Sequence, residues 1–340
     1  MKYIAYCTKG LEKIGSDEIT FFLPDARIIT VADKRILFET DADFVKLTGL
    51  HTVDDIGIFL QQADAVRSIA DIQKIVADID FLSAKNVLKN YREVKNAFSI
   101  TTSIVGSPIK SQELTDGIFS FLQEKYAWEC VPFDHTNFDI RIFIDHKICI
   151  VSVRLTKESL YKRGYKTDSR IGALKPTIAA SLVLLATKQR ENKKLVDNFC
   201  GSGTILCEAL SLGNEICGGD IVQEAVVITK INLKNLGFTK EENIKMLDAT
   251  KPTWQENYFD AAVSNVPWDK QIPIKSMTSL YRDTLQEYKR ILKTHGSLCL
   301  LVSKPELLTK YARQLFPGSQ ISQYKIGLLG QNPTIVLVDF

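Results

Sequence analysis

KKLVDNFCGSGTILCEALSLGNEICGGD, residues 193–220, sets the class of the chain. An apolar run, Leu195-Val196, ends in Asp197. The small-residue turn Cys200-Gly201-Ser202-Gly203-Thr204 then leads into a helical stretch, Ile205 to Leu212. A second short strand, Ile216 to Gly219, ends in Asp220. Strand, glycine turn, helix, strand and acid make half of a nucleotide-binding α/β unit. Gly201 and Gly203 let the backbone approach a ligand closely, and the helix N-terminus presents free N–H groups to an anion. Asp220 stands where a carboxylate can accept both hydroxyls of a ribose. A glycine turn before a helix is also plain turn chemistry, so this stretch alone does not name the ligand. The third glycine of the dinucleotide fingerprint is replaced by Leu206, which disfavours NAD.

The wider composition narrows the class. A chain of 340 residues is long enough for about two domains, and 45% apolar with 24% charged residues is ordinary for a soluble globular protein. No apolar run approaches the roughly 20 residues of a membrane helix, and MKYIAYCTKG lacks the apolar core of a signal peptide, so a cytoplasmic protein is expected. The seven cysteines form no CxxC pair, and the four histidines are scattered singly, so neither a metal site nor a disulfide framework is expected. A net charge of +3 is too weak to indicate nucleic acid by itself. Its distribution says more: Arg154, Lys157, Lys162, Arg163, Lys166, Arg170 and Lys175 face only Glu158 and Asp168 between residues 154 and 175. The strip is either a solvated linker or a phosphate-contacting segment between two domains.

Upstream, residues 2–7 read as a strand and Gly10-Leu11-Glu12 as the start of a helix running to Phe22. Strands at 27–31 and 35–39 and a short helix at 43–50 complete a small α+β unit. From Ser68 the pattern changes to helices at 69–79 and 82–89, an alternating strand at 97–103, an amphipathic helix at 113–125, and strands at 138–144 and 147–155. This region has no catalytic cluster and reads as a binding or positioning module. Downstream, strands and helices alternate until a closing hairpin, 324–329 with 333–340, which predicts a mostly parallel sheet with an antiparallel end. The expected domains are 1–64, 65–156, a basic linker 157–176, and a Rossmann-like α/β domain 177–340.

Four polar residues, Asp197, Asp220, Asp248 and Asn265, fall at strand C-terminal ends, the edge where open α/β sheets bind ligands. Together they suit S-adenosylmethionine. Asp220 accepts the ribose hydroxyls, Asp248 and the Ala249 N–H address the adenine, and the glycine turn with Asp197 takes the methionine end. Each acid could instead cap a turn. Asn265-Val266-Pro267-Trp268 is the candidate catalytic element. The Asn265 side-chain oxygen and the Val266 carbonyl can accept the two protons of an exocyclic base amine while Trp268 stacks on the base. Its bland alternative is a strand-ending turn with a core tryptophan.

LVDNFCGSGTILCEAL at 195–210 resembles the DPFCGSGTILIEA segment of the S-adenosylmethionine-dependent RNA methyltransferases that carry an N-terminal THUMP domain. Residues 159–166, SLYKRGYK, are similar to their LHRRGYR segment, and 172–180, GALKPTIAA, to their APLKPTLAA segment. Residues 265–268 stand at their N/D-P-P-Y/F position, while Gly10-Leu11-Glu12 and Leu50-His51 resemble their ferredoxin-like lead domain. The resemblance implies a tRNA guanine-N2 methyltransferase of the acceptor-stem, position-six type, and a monomer is expected. It adds Thr177, Phe199, Cys200, Thr204 and Ile221 to the cofactor site. Lys110, Arg154, Lys157, Lys162, Arg163, Tyr165, Lys166 and Arg170 are expected to contact the RNA. Asn198, Val266 and Trp268 depart from the family pattern. Other readings keep the reaction but move it to another tRNA guanosine or to ribosomal RNA. A third class is a non-catalytic RNA-binding protein with a degenerate methyltransferase domain, which the intact set of acids and glycines opposes. A nicotinamide-dependent oxidoreductase is opposed by Leu206 and the NVPW element.

Overall fold

The computed structural model describes residues 1–170, 172–268, 276–328 and 330–340. In the first half of the chain, β1 (Lys2–Tyr6), α1 (Glu12–Phe22), β2 (Arg27–Ala32), β3 (Arg35–Glu39), α2 (Phe44–Thr48) and β4 (Asp55–Ala63) come first. They are followed by α3 (Ile69–Ala77), α4 (Phe81–Lys89), β5 (Ala97–Val105), α5 (Ser111–Tyr126), β6 (Glu129–Cys130), β7 (Asp139–Asp145) and β8 (Ile148–Arg154). Ser68 and Asp71 close a reciprocal capping box at the start of α3. The strands form one sheet in the order β2-β3-β1-β4-β8-β7-β5-β6.

β4 is the strand that the sequence pattern does not announce. Its N-terminal half, Asp55 to Ile58, is buried throughout and its end is polar, so it never alternates as a half-exposed strand would. It is nonetheless central, with Ile58 paired to Tyr3 of β1 on one side and to Val153 of β8 on the other. Consequently the boundary expected at 64/65 falls just after a strand shared by both sides. A single apolar core runs from Tyr3 to Leu160.

The second half comprises α6 (Pro176–Thr187), β9 (Lys194–Asp197), α7 (Thr204–Ser211), β10 (Glu215–Asp220), α8 (Gln223–Lys234), β11 (Ile244–Met246) and β12 (Phe259–Asn265). Next come α9 (Met277–Ile291), β13 (Leu292–Val302), α10 (Pro305–Leu315), β14 (Gln320–Lys325) and β15 (Thr334–Asp339). Strand order is β11-β10-β9-β12-β13-β15-β14, parallel from β11 to β13 and antiparallel at β15 and β14. The closing hairpin is present, but its first strand lies at 320–325 rather than 324–329; Leu329, the end of the expected strand, lies outside the described residues. Helices α6, α7 and α8 cover one face of the sheet and α9 and α10 the other, giving two apolar layers. The order reverses between β9 and β12, which opens a crevice at the C-terminal ends of those strands.

The two halves interlock. Leu11 and Ile14, at the start of α1, belong to the apolar layer built on α6, not to the core of their own sheet. Gly10, at φ +90°, lies so close to the closing hairpin that a Cβ there would stand 2.0 Å from the Lys325 carbonyl oxygen. The Gly327 N–H donates to the Lys9 carbonyl at 3.0 Å beside it. No helix among the described residues is long and apolar enough to cross a membrane.

Candidate active site

β9 delivers Asp197 to the switch point fully buried. Its Oδ1 accepts from the Phe199 N–H at 3.0 Å and the Ser264 hydroxyl at 2.7 Å, and the Tyr288 hydroxyl sits 2.8 Å from Ser264. Oδ2 has no partner. Burial pushes the Asp197 carboxyl up to about 7, against the lowering effect of those two hydrogen bonds.

The turn that follows uses its two glycines differently. A Cβ at Gly201 would meet only the Phe199 carbonyl, at 4.0 Å, so this position is open toward the crevice. A Cβ at Gly203 would strike Thr229 Cγ2 at 2.8 Å, so the second glycine serves the packing of the turn on α8. Gly201 donates its N–H to Asp220 Oδ2 at 3.0 Å, and the Val222 N–H reaches Oδ1 at 3.0 Å, which fixes the carboxylate at the tip of β10. Leu206, the residue that displaces the third fingerprint glycine, is accommodated by Gly218 on β10, where a Cβ would lie 2.5 Å from Leu206 Cδ1. The close helix–strand contact is kept, with the glycine on the strand instead of the helix.

Asp197, Gly201 and Asp220 line a cleft of about 1180 Å³ together with Ser202, Thr204, Ile221, Asn265, Val266, Pro267 and Trp268. Phe199 and Cys200 line it as well, and burial holds the Cys200 thiol well above its usual range, so it is not a nucleophile. Ile221 is 68% exposed at the rim, an apolar surface beside Asp220. Asn265 Oδ1 and Trp268 Nε1 are buried with no partner, as is Asp197 Oδ2. Three unpaired polar atoms in one cleft are costly in the free protein and fit a polar ligand with complementary donors and acceptors. An ammonium suits Asp197, vicinal hydroxyls suit Asp220 and an amine suits Asn265, so the residues present fit S-adenosylmethionine beside an amine-bearing base.

Not every expected site residue arrives there. Thr177 is fully buried and donates its hydroxyl to Asp54 Oδ1 at 2.7 Å, a tie to the first half of the chain and not a cofactor contact. Gly203, Asp248 and Ala249 lie outside the cleft lining. Asp248 Oδ1 accepts from the Thr250 N–H at 2.9 Å and its hydroxyl at 2.7 Å, so this acid caps its own turn.

The basic strip needs a larger correction. Arg154 is buried in an ion pair with Asp55, Nη2 to Oδ2 at 2.6 Å, which leaves it no access to a phosphate. Tyr165 is buried and donates its hydroxyl to Glu208 Oε1 at 2.7 Å; Arg163 reaches the same oxygen from Nε at 3.1 Å and the His51 carbonyl from Nη2 at 3.0 Å. Lys166 donates to the Leu174 carbonyl at 2.8 Å, and Arg170 faces Glu224 at 3.7 Å. Lys110 pairs with Glu113 at 3.1 Å on the surface, while Lys157 and Lys162 are exposed. The strip is therefore partly an interface, through Arg163 and Tyr165, with Lys162, Arg163, Lys166 and Arg170 also along the cleft wall.

Glu208 on α7 is the hub that the sequence did not single out. Buried, it also takes His51 Nδ1 at 2.8 Å, so one carboxylate joins the first half, the strip and the cofactor helix. Burial works to raise its pKa, but the hydrogen bond from His51 and the Arg163 charge outweigh that and hold it below the usual range. Ser264 and Tyr288 were also missed. Asn198 sits where the family pattern has proline and accepts from the Trp254 indole at 2.8 Å. Only the position of Ser264, just before Asn265, could have drawn notice.

Residues 163–328 match a family model described as an RMKL-like methyltransferase domain. The chain is 27% identical to a tRNA (guanine(6)-N2)-methyltransferase of Methanocaldococcus jannaschii, over 90% of this chain and 91% of the relative. It is 29% identical to a tRNA (guanine(10)-N2)-dimethyltransferase of Pyrococcus abyssi, over 71% and 68%. In fold it is similar to TrmN from Thermus thermophilus, with a TM-score of 0.82 at 20% identity over 99% of each chain. The chain is an S-adenosylmethionine-dependent methyltransferase, and its residues 163–328 are similar to RMKL-like methyltransferase domains.

Proposed function

We propose that the protein methylates the exocyclic N2 amine of a guanosine in the acceptor stem of tRNA. The observation that carries this reading is the buried, unpaired Asn265 Oδ1 at the end of β12, in the same cleft as Gly201 and Asp220. The Methanocaldococcus jannaschii relative, aligned over nine-tenths of the chain, supports both the base and the position.

An aromatic amine is a poor nucleophile because its lone pair is delocalised into the ring. S-adenosylmethionine supplies an electrophilic methyl group on a sulfonium. Asn265 Oδ1 and the Val266 carbonyl accept the two amine protons and turn the lone pair out of conjugation toward the methyl group. Pro267 keeps Val266 extended, and Trp268 offers a ring on which the base stacks. Asp220 orients the ribose of the cofactor, Ile221 flanks its adenine, and Asp197 Oδ2 receives the ammonium of its methionine end. No strong general base is needed, since the proton leaves after the nitrogen has gained charge. Residues 65–156 act as a THUMP module and, with the lead unit 1–64, bring the RNA to the cleft.

The test is incubation with labelled S-adenosylmethionine and total tRNA, followed by nucleoside mass spectrometry and mapping. N2-methylguanosine in the acceptor stem is expected. Label on an adenine amine, or none in RNA, rejects the reading. Label at another tRNA guanosine keeps the reaction and moves the site, as the Pyrococcus abyssi relative would favour.

A further inference from the structure

We infer that Tyr161 is a stacking platform for the RNA base next to the target guanosine, an inference that rests on the proposed RNA substrate. Tyr161 lines the cleft, and the residue remains 37% exposed. The Lys175 ammonium lies 4.6 Å from the ring centroid. That ammonium is itself held by Asp54 Oδ2 at 2.7 Å, while Asp54 Oδ1 takes the Thr177 hydroxyl and the Asp54 N–H donates to the Tyr6 carbonyl at 2.7 Å. The ring is thus backed by a cation anchored at the junction of the two halves of the chain.

A cation over one face of an aromatic ring draws electron density from it, and the ring then favours an electron-rich π-face on its other side. A purine base is such a partner, and a base of either kind offers a π-face that stacks on an aromatic ring. Exposed Lys162 follows directly, so a ring and a phosphate-seeking cation stand side by side, the pairing used by grooves that hold single-stranded nucleic acid. The cleft volume of about 1180 Å³ exceeds the roughly 300–1,000 Å³ typical of a site for one small ligand, which leaves room for nucleotide beside the cofactor. Tyr161 is therefore a positioning residue for RNA, with Lys175 and Asp54 fixing its ring.

The experiment compares the full-length protein with Tyr161→Phe and Tyr161→Ala. Steady-state kinetics on tRNA, the Kd for S-adenosylmethionine, and fluorescence of an oligoribonucleotide with 2-aminopurine beside a single guanosine are measured. Tyr161→Ala is expected to raise the KM for tRNA about 10-fold and abolish the 2-aminopurine quench, with the cofactor Kd unchanged. Tyr161→Phe should keep the wild-type KM and quench. An alanine variant with wild-type KM and quench overturns the inference, as does one whose defect lies in cofactor binding instead. If the wild type methylates no tRNA guanosine, the proposed function fails, and the quench still decides the platform. Quench in the wild type and Tyr161→Phe but not Tyr161→Ala upholds it, and no quench in the wild type overturns it.

Discussion

Asn265 presents a buried amide oxygen with no protein partner, so its removal relieves the free protein of an unsatisfied polar group while removing an acceptor from the reacting amine. Asn265→Ala is expected to lower kcat about 100-fold or more with unchanged cofactor affinity and no loss of thermal stability. Wild-type turnover would remove the residue from the mechanism. Asp197 makes a pH-dependent prediction. Its folded-state carboxyl, raised to about 7, lies above the value it has in the unfolded chain. The ligand-free protein therefore loses stability as pH rises from about 4 to 7 and is level above that. An ammonium beside Oδ2 requires the ionised form, so cofactor affinity should fall about 10-fold per pH unit below 7 and plateau above it. Calorimetric titration between pH 5.5 and 8.5 checks this, and Asp197→Asn should bind more weakly at pH 8 with a flat profile. A wild-type profile that is itself flat would place the ammonium elsewhere.

At the scale of the elements, the strand–turn–helix unit depends on where its glycines sit. Gly218 leaves the space that Leu206 fills, and a Cβ there would also stand 3.0 Å from the Asp197 carbonyl oxygen. Gly218→Ala should therefore cost about 1–3 kcal/mol by overpacking and weaken cofactor binding, because the backbone that yields leads into the glycine turn proposed to hold the cofactor. Denaturant melts of Gly218→Ala, Leu206→Ala and the double variant test the contact. The double variant should be less damaged than the sum of the two singles, and strict additivity would deny the coupling. The helix–turn unit was legible because its periodicity and glycines are local. β4 was not legible, because a central strand buried at its start has no alternation to betray it.

Across the whole molecule, Glu208 joins His51 of the first half to Arg163 and Tyr165 of the strip and to the cofactor helix α7. Arg163 is thus committed to a buried carboxylate, and losing it leaves that charge short of a partner. Arg163→Ala is expected to lower Tm and slow turnover by loosening the two halves, whereas exposed Lys162→Ala should leave Tm unchanged and reduce the salt slope of tRNA binding by about one. Equal salt slopes for wild type and Lys162→Ala would take Lys162 out of the RNA path.

The sequence by itself determined the α/β class, the glycine turn, the acids at the strand ends and the NVPW element, since each rests on spacing along a few neighbouring residues. Only the tertiary structure decided which of those acids meet in one cleft, bringing Asp197, Asp220 and Asn265 together and leaving Asp248 to its own turn. It also decided that Arg163 and Lys175 of the basic strip are tied into the seam between the halves of the chain and that Arg154 is buried in the first half. The physical reason is that burial and pairing are properties of residues distant in sequence. A cation's charge can be read from one letter, but the carboxylate that claims it cannot.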